Sequence, residues 1–581
     1  MTAVLPLTTP DLGPMELGRF PVRARAMRSP EKAVAFVLLA GLCIVALLLI
    51  GLPLYAVLSR SMQDAGGRFV GIDNFIQYAR NPGLRQSLYN SLIVCTLTTA
   101  ITIPLAFAYA MALVRSRLPF KALFKAIALL PILAPSLLSA IALTYMFGNQ
   151  GFLKALLPDQ PIYGLLGIVI SQVFYCFPHA VIVLSTALAL SDARVYEVAR
   201  TLGAPPLRAF LTITLPSVRY GLVSAAFVVV TLSITDFGIA KVIGGQFNVL
   251  AIDIYKQIIG QQNFRMGAVV GVILLLPALL SFGVDLLVRK RQASLLSSRT
   301  VLYTPRRQPL FDTSMLIVAV VIAALIVFTI GTAIFASLIK LWPYDFSFSL
   351  HSYDFAAYDG LGWGSYSNSI VLSLWVALAG TVLIFAGAYL VEKTRRFRVL
   401  RVMLHFLAML PLAVPGLVLG LGYVFFFNQP SNPMSALSGS IALMAMCCVA
   451  HYYTVPHLTA LTALQQIDNE FEAVSASLGI PFWTTFRKVT LPICLPAILD
   501  IATYFFVNAM TTVAAVIFLY APLTMVASVA VVAMDDTGDT AAACAMAVMV
   551  LLTSLVAKLI QSGASAYFGK RSQRWRSADP H

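Results

Sequence analysis

The chain has 581 residues, of which 59% are hydrophobic and 11% are charged, and its mean hydropathy is +0.86. Soluble chains usually carry about a quarter charged residues, so this composition excludes a soluble enzyme and predicts an all-α polytopic membrane protein. The net charge of +16 would suit a nucleic-acid-binding protein, but basic residues of membrane proteins concentrate in cytoplasmic loops. No nucleic-acid partner is therefore expected. The seven cysteines lie in or beside apolar runs without metal-ligand spacing, which indicates packing residues.

Apolar segments long enough to cross a bilayer recur along the whole chain. A spanning helix needs about 20 mostly apolar residues, because the hydrocarbon core is about 30 Å thick and each residue rises about 1.5 Å. We therefore predict about twelve spans, at residues 33–58, 89–114, 126–147, 165–190, 217–239, 266–288, 314–339, 369–391, 402–427, 438–463, 495–518 and 541–562.

The lysines and arginines are distributed unequally between the two sides. If the N-terminus is cytoplasmic, the cytoplasmic segments hold 31 of the 40 basic residues and the outer segments hold 9. Since positive residues favour the cytoplasmic side, we predict a multi-pass membrane protein with both termini in the cytoplasm. The basic tail also favours contact with anionic membrane lipid.

One sequence phrase occurs twice, which indicates an internal duplication. VYEVARTLGAPPLRAFLTITLP at 195–216, the first repeated loop, recurs as EFEAVSASLGIPFWTTFRKVTLP at 470–492, the second repeated loop. Six predicted helices per half make the two repeats parallel. Other landmarks agree within a few residues: Asn90-Ser91 with Asn368-Ser369, Pro131 and Pro135 with Pro411 and Pro415, and Pro178-His179 with Pro456-His457.

This duplication divides the chain into five parts. We predict a basic cytoplasmic tail (1–32), a first six-helix repeat (33–288), a cytoplasmic linker (289–313), a second six-helix repeat (314–562) and a second basic tail (563–581). The repeated loops fall on the cytoplasmic side, between the fourth and fifth helices of each half. Apolar side chains in such a loop favour burial against a soluble partner; the alternative is an interfacial helix lying on lipid.

The repeated loops resemble the coupling-loop signature of ABC importer permeases. The pattern is Glu-x-Ala-x3-Gly-x9-Ile-x-Leu-Pro, carried here by Glu197, Ala199, Gly203, Ile213, Leu215 and Pro216. The second copy places Gly479, Leu491 and Pro492 at the matching positions, but Ala473 stands where Glu197 is expected and Glu472 falls one residue early. Two copies in one chain are similar to the fused permeases of iron(III), thiamine and 2-aminoethylphosphonate importers.

The resemblance implies a fold, a location in a bacterial inner membrane, partners and a mechanism. It implies the type I ABC importer permease fold, with each repeated loop docked on one of two separate ATPase subunits that carry ATP and Mg, so the chain itself needs no cofactor. A substrate-binding protein would deliver solute at the outer face, and ATP would drive alternating access. The stretches at 234–264 and 508–520 are similar to 2-aminoethylphosphonate permeases; iron(III) or another small anion is the alternative substrate.

Polar residues near the far ends of two spans are candidates for the translocation pathway. Asp236 lies 20 residues beyond Pro216, and the repeat offset of 276 places Thr512 opposite it. An ionisable residue inside a bundle is a functional candidate by default. We predict that Asp236, Asn508, Thr511 and Thr512 line the route, with the carboxylate available for an ammonium group. The alternative for Asp236 is an ion pair with Lys241 or a helix cap.

Catalytic and metal-binding residues are not predicted. A phosphate-binding loop needs Gly-x4-Gly-Lys-Ser/Thr, and the stretch around Gly569 has neither the spacing nor the last residue. The chain is therefore expected not to be an enzyme, and ATP hydrolysis is assigned to a separate subunit. An ion-coupled secondary transporter is a weaker alternative. It needs a coupling-ion site near the middle of the spans, and the sequence shows no cluster of carboxylates there.

Overall fold

The structure is a computed structural model, which describes residues 29–572 except 158–160, 296–302, 395 and 469. The predicted tails before residue 29 and after residue 572, and the middle of the predicted linker, lie outside the described residues. Within the described part, the regular secondary structure consists of helices and of one hairpin, formed by β1 (Ile339–Leu341) and β2 (Asp345–Phe348). The predicted all-α membrane class is confirmed.

The first half runs from α1 to α13. Its helices are α1 (Ser29–Ala46), α2 (Leu52–Ser61), α3 (Asp73–Arg80), α4 (Pro82–Arg115), α5 (Lys121–Leu129), α6 (Ser136–Phe147), α7 (Leu165–Ala189), α8 (Ala193–Thr201), α9 (Pro206–Ala209), α10 (Leu215–Thr235), α11 (Gly238–Ile243), α12 (Leu250–Tyr255) and α13 (Phe264–Leu295).

The second half repeats this order. Its helices are α14 (Pro309–Ser337), α15 (Trp363–Lys393), α16 (Arg398–Met409), α17 (Gly416–Phe427), α18 (Ile441–His451), α19 (Thr454–Gln465), α20 (Glu470–Ser477), α21 (Phe482–Thr485), α22 (Leu491–Ile493), α23 (Leu495–Thr511), α24 (Ala527–Thr537) and α25 (Thr540–Ser572).

The described residues contain eight helices long and apolar enough to span a membrane, or up to 12 spans if each bent helix pair counts as one. The pairs α5–α6 and α16–α17 bend by 98° and 116°. Each bend follows a 3-10 turn that contains one proline, Pro131 or Pro411, and is followed by a second, Pro135 or Pro415. Proline both lacks a donor and blocks the preceding helical turn. The sequence predicted these segments as spans without predicting their bends.

Two predicted spans are too long at their far ends. The span predicted at 217–239 ends at Thr235, and the span predicted at 495–518 ends at Thr511. The chain then continues in short buried helices, α11, α12 and α24, whose apolar residues fill the bundle. Hydropathy alone does not separate a spanning helix from such a short buried one, because both are apolar.

The two halves interlock through their first spans. Helix α2 packs on α17 of the second half, and α14 packs on α6 of the first half. The Tyr423 hydroxyl donates to the Leu49 carbonyl across this contact, at 2.9 Å. The first span of each half therefore packs on the helical bundle of the other half.

The Asn-Ser landmarks form equivalent hydrogen bonds to the backbone in both halves. Asn90 donates to the Asn248 carbonyl and the Ser91 hydroxyl accepts from the Leu250 amide, both at 2.9 Å, which fixes the start of α12. In the second half Asn368 donates to the Met525 carbonyl at 3.0 Å and Ser369 accepts from the Ala527 amide at 2.7 Å, which fixes the start of α24.

Candidate functional site

Both repeated loops fold in the same way. After the first short helix of each loop the chain turns at a glycine, Gly203 with φ +69° and Gly479 with φ +71°. Glycine adopts positive φ without the steric cost that a Cβ brings. A second short helix and a π-helical turn follow, at Phe210–Thr214 in one loop and Phe486–Thr490 in the other.

Matched aromatic pairs hold the loops against the long helices α4 and α15. The ring centroids of Phe107 and Phe210 lie 6.1 Å apart, and those of Phe385 and Phe486 lie 6.0 Å apart. Aromatic pairs at such distances are stabilising beyond the area they bury. Each loop is therefore packed on the membrane helix of its own half.

A buried cation at the end of the long helix anchors each loop. In the first half the Arg115 guanidinium donates to the Leu188 carbonyl at 3.2 Å and lies 4.4 Å from the ring centroid of Tyr196. In the second half Lys393 donates to the Ile467 carbonyl at 3.3 Å and forms an ion pair of 3.0 Å with Glu472. Tyr196 and Glu472 are equivalent by the repeat offset.

Glu197 faces away from this anchor. Its carboxylate forms an ion pair of 3.2 Å with Arg306, and both side chains are more than half exposed. Arg306 belongs to the linker between the halves, which also stacks the Tyr303 ring 4.1 Å from the Arg115 guanidinium. The equivalent position in the second loop is Ala473, so Glu472 does not stand in for Glu197.

The loops expose apolar side chains at equivalent positions. The exposed fractions of Val198 and Val474 are both 56%, and those of Leu202 and Leu478 are 79% and 69%. A third equivalent pair, Leu207 and Trp483, is 69% and 45% exposed. The remaining predicted residues lie half-buried (Ala199, Ile213) or exposed where the next helix begins (Leu215, Pro216, Leu491, Pro492).

The predicted pathway residues cluster at the far ends of α10 and α23. Asp236 and Thr512 end these two helices with nearly equal backbone angles, φ −70° and ψ 128° for Asp236, φ −73° and ψ 134° for Thr512. Asn508 and Thr511 lie in the last turn of α23, where both side chains donate to carbonyls of their own helix.

Tyrosines connect the two sides of this cluster. Asp236 interacts electrostatically with Tyr175 of α7, which in turn interacts with Tyr504 of α23. The ring centroid of Tyr452, at the bend between α18 and α19, lies 6.2 Å from that of Tyr504. Asp236 is thus in electrostatic reach of a tyrosine that also senses the second half, and sequence reasoning missed these tyrosines.

Asp236 also caps a helix. Its carboxylate accepts from the Ile239 amide at 2.9 Å. Lys241, the alternative ion-pair partner, instead lies 2.8 Å from Asp536 of the second half. Burial and the neighbouring Asp536 carboxylate raise the pKa of Asp535 to about 6, and Lys241 opposes this shift.

The family model for "Binding-protein-dependent transport system inner membrane component" matches twice, at residues 102–294 and 383–563. The chain belongs to this family. It is a fused ABC importer permease, with one copy of the family domain in each half, and the type I permease fold predicted from the sequence is confirmed.

Ferric-transport permeases are among the similar proteins. "Ferric transport system permease protein FbpB" of Actinobacillus pleuropneumoniae is 28% identical to this permease over 74% of the chain. "Putative ferric transport system permease protein FbpB 1" of Haemophilus influenzae is 28% identical over 71%. The chain spans 64% of the first relative and 67% of the second.

A third relative carries a different substrate name. "Putative 2-aminoethylphosphonate transport system permease protein PhnU" of Salmonella typhi is 24% identical over 38% of the permease and 80% of its own length. Its match covers one part of the fused chain only.

The permease holds its repeated loops with residues that the signature does not contain. Arg115, Lys393 and the aromatic partners Phe107 and Phe385 were missed, because each lies on a membrane helix far along the chain from the loop it holds. One signal was available: a basic residue closes the long helix in both halves, at 115 and 393.

Proposed function

We propose that this permease imports 2-aminoethylphosphonate or a similar small zwitterion, driven by two separate ATPase subunits that dock on the repeated loops. ATP and Mg belong to those subunits, and a substrate-binding protein delivers the solute at the opposite face. The loops and both termini then face the cytoplasm, as the distribution of basic residues favours.

The matched exposure of apolar residues carries the ATPase proposal. Two loops of one chain expose aliphatic or aromatic side chains at three equivalent positions, from Val198 to Leu207 in the first loop and from Val474 to Trp483 in the second. Exposed apolar clusters on an otherwise polar loop mark interaction sites. Two equal sites favour two copies of one partner, and the loop anchors Arg115 and Lys393 connect each site to a membrane helix.

Charges of both signs near the interface between the halves support a zwitterionic solute. Asp236 offers a carboxylate beside Tyr175, while Lys241 and Lys256 line one cavity beyond the end of α10. A short zwitterion presents an anionic and a cationic group, so both kinds of side chain have a partner during passage. This arrangement favours 2-aminoethylphosphonate over a solute of one charge.

Iron(III) is the second candidate substrate. The relatives that cover most of the chain carry ferric-transport names, and the Asp236 carboxylate and the tyrosine hydroxyls are oxygen ligands. Hard, highly charged cations are bound by oxygen ligands of this kind.

Competitive uptake separates the two substrates. The permease is reconstituted in proteoliposomes with its ATPase and binding protein, and labelled 2-aminoethylphosphonate and labelled iron(III) are offered in parallel, each with and without ATP. We expect ATP-dependent accumulation of the phosphonate that unlabelled iron(III) does not reduce. Accumulation of iron(III) alone would overturn the substrate proposal and leave the ATPase proposal standing.

A further inference from the structure

A cavity of about 140 Å³ lies among the short helices that follow α10. Two lysines line it, Lys241 on α11 and Lys256 just after α12, together with Asn248 and Tyr255. Helix α10 leads away from the first repeated loop, so the cavity lies beyond its far end. This volume suits a small oxyanion and a few attached carbon atoms.

The two lysines have different partners. Lys241 forms its ion pair with Asp536 of the second half, at 2.8 Å, and also lies 5.1 Å from the Tyr255 ring centroid. Lys256 donates to the neutral side chain of Asn248, and the buried Asp253 carboxylate acts on it electrostatically without an ion pair among the described residues. An anion in the cavity can therefore pair with Lys256 directly, whereas it must compete with Asp536 for Lys241.

Contacts between the halves meet at this point. The Lys241–Asp536 pair joins α11 to α24, and the Tyr255 ring stacks on Phe518 of the second half at 6.5 Å. The Asp536 side chain is 43% exposed and that of Lys241 is 22% exposed. Because solvent screens an ion pair that is partly exposed, a charged ligand can replace it.

We propose that this cavity is a zwitterion site that works by exchanging ion pairs. The anionic group of the ligand bridges Lys241 and Lys256, and the cationic group, two or three bonds away, takes over the released Asp536 carboxylate. No charge is left unpaired after the exchange, whereas a simple anion would leave Asp536 without its partner. The direct ion pair between α11 and α24 is then replaced by a contact through the ligand, so the bound solute itself connects the two halves at the end remote from the repeated loops.

This inference deepens the proposed function, because it names the group of the solute that each side chain recognises. It predicts a selectivity rule. A short aminophosphonate binds better than an alkylphosphonate, which lacks the ammonium group, and better than an alkanolamine, which lacks the anion. The rule concerns binding to the permease alone and needs neither ATPase nor binding protein.

Calorimetric titration of the purified full-length permease in lipid nanodiscs tests the site. The probes are 2-aminoethylphosphonate, ethylphosphonate and ethanolamine. We expect the first to bind at least tenfold more tightly than the other two, and Lys256→Met to weaken it at least tenfold. Lys340→Met is the matched control, because Lys340 pairs with Asp345 on the hairpin, at 3.3 Å, away from the cavity; it leaves all three affinities unchanged.

Asp536→Asn gives the result that a nonspecific basic patch does not predict. It removes both the competitor for Lys241 and the acceptor for ammonium, so ethylphosphonate binds more tightly while 2-aminoethylphosphonate loses its advantage. Equal effects on the two phosphonates, or wild-type binding by Lys256→Met, would overturn the site.

The site and the import proposal fail separately. If 2-aminoethylphosphonate is imported by the Lys256→Met permease as by wild type, the site is wrong and the import proposal stands. If the permease binds 2-aminoethylphosphonate but the complete complex imports only iron(III), the site stands and the import proposal is wrong.

Discussion

Glu472 lies 3.0 Å from Lys393, at the position where the first half places Tyr196 over Arg115. The two halves thus use different chemistry for one task, an ion pair in one and a cation–π contact in the other, each holding a repeated loop to the end of a long helix. The glutamate of the second loop, one residue early by the signature, belongs to the anchor rather than to the surface that faces a partner.

Lys393→Met therefore weakens the second loop. The side chain of Lys393 is 5% exposed and that of Glu472 is 26% exposed. The variant is therefore expected to lose a stabilising free energy between that of an exposed ion pair, about 1 kcal/mol, and that of a buried one, about 3–5 kcal/mol. We expect faster proteolysis in the second loop and reduced ATP-dependent uptake. Replacing the pair by that of the first half, with Lys393→Arg and Glu472→Tyr, restores uptake; no recovery would contradict the equivalence.

The linker contacts of the first loop differ in strength. Arg306→Ala removes an exposed ion pair with Glu197 and costs less than about 1 kcal/mol. Tyr303→Ala removes a ring from the buried Arg115 and costs about 1–2 kcal/mol, as expected for a desolvated cation–π contact. Thermal unfolding of the two variants measures the difference. Equal melting temperatures would show that the linker does not support the anchor.

The glycine turns are expected to be sensitive to any Cβ. Gly203 has φ +69° and open space around the position a Cβ would occupy, so Gly203→Ala costs about 1–2 kcal/mol through backbone strain alone. Gly203→Asn costs less, because asparagine tolerates this region. Gly283→Ala, in the middle of α13 with no neighbour in the way, is the control and leaves stability equal or higher. ATPase co-purification and melting temperature report the effect.

Asp236→Asn separates a pathway role from a structural one. Asparagine can still accept from the Ile239 amide, as aspartate does at 2.9 Å, and the two residues cap helices about equally well. We therefore expect an unchanged melting temperature and membrane level but several-fold slower uptake. Uptake at the wild-type rate would assign Asp236 to helix capping alone.

The sequence predicts the repeats of this fold better than its bends. Spans and loops follow from hydropathy and from the duplicated phrase, which are properties of contiguous segments. The equivalence of Asn90-Ser91 with Asn368-Ser369 was visible, but not that both pairs fix the starts of α12 and α24. A bend of 98° or 116° depends on how the surrounding bundle satisfies the backbone around the prolines.

Contacts between the two halves could not be predicted from the sequence. Lys241 stands close to Asp236 in the chain, yet it pairs with Asp536 from the other half, since the packing of α11 on α24 decides the neighbours. The same holds for Tyr255 and Phe518, which lie in different halves and whose ring centroids are 6.5 Å apart.

ATP-dependent uptake by a loop variant tests the central claim most directly. Leu202→Glu combined with Leu478→Glu places a charge on the exposed apolar face of each repeated loop, where the side chains are 79% and 69% exposed. Leu310→Glu is the control, because Leu310 is 88% exposed and lies outside both loops. We predict that the double variant reaches the membrane at the wild-type level but neither retains its ATPase nor accumulates solute with ATP. The Leu310→Glu permease is expected to retain its ATPase and to accumulate solute. Accumulation by the double variant at the wild-type rate, or by the permease without any ATPase, would contradict the account.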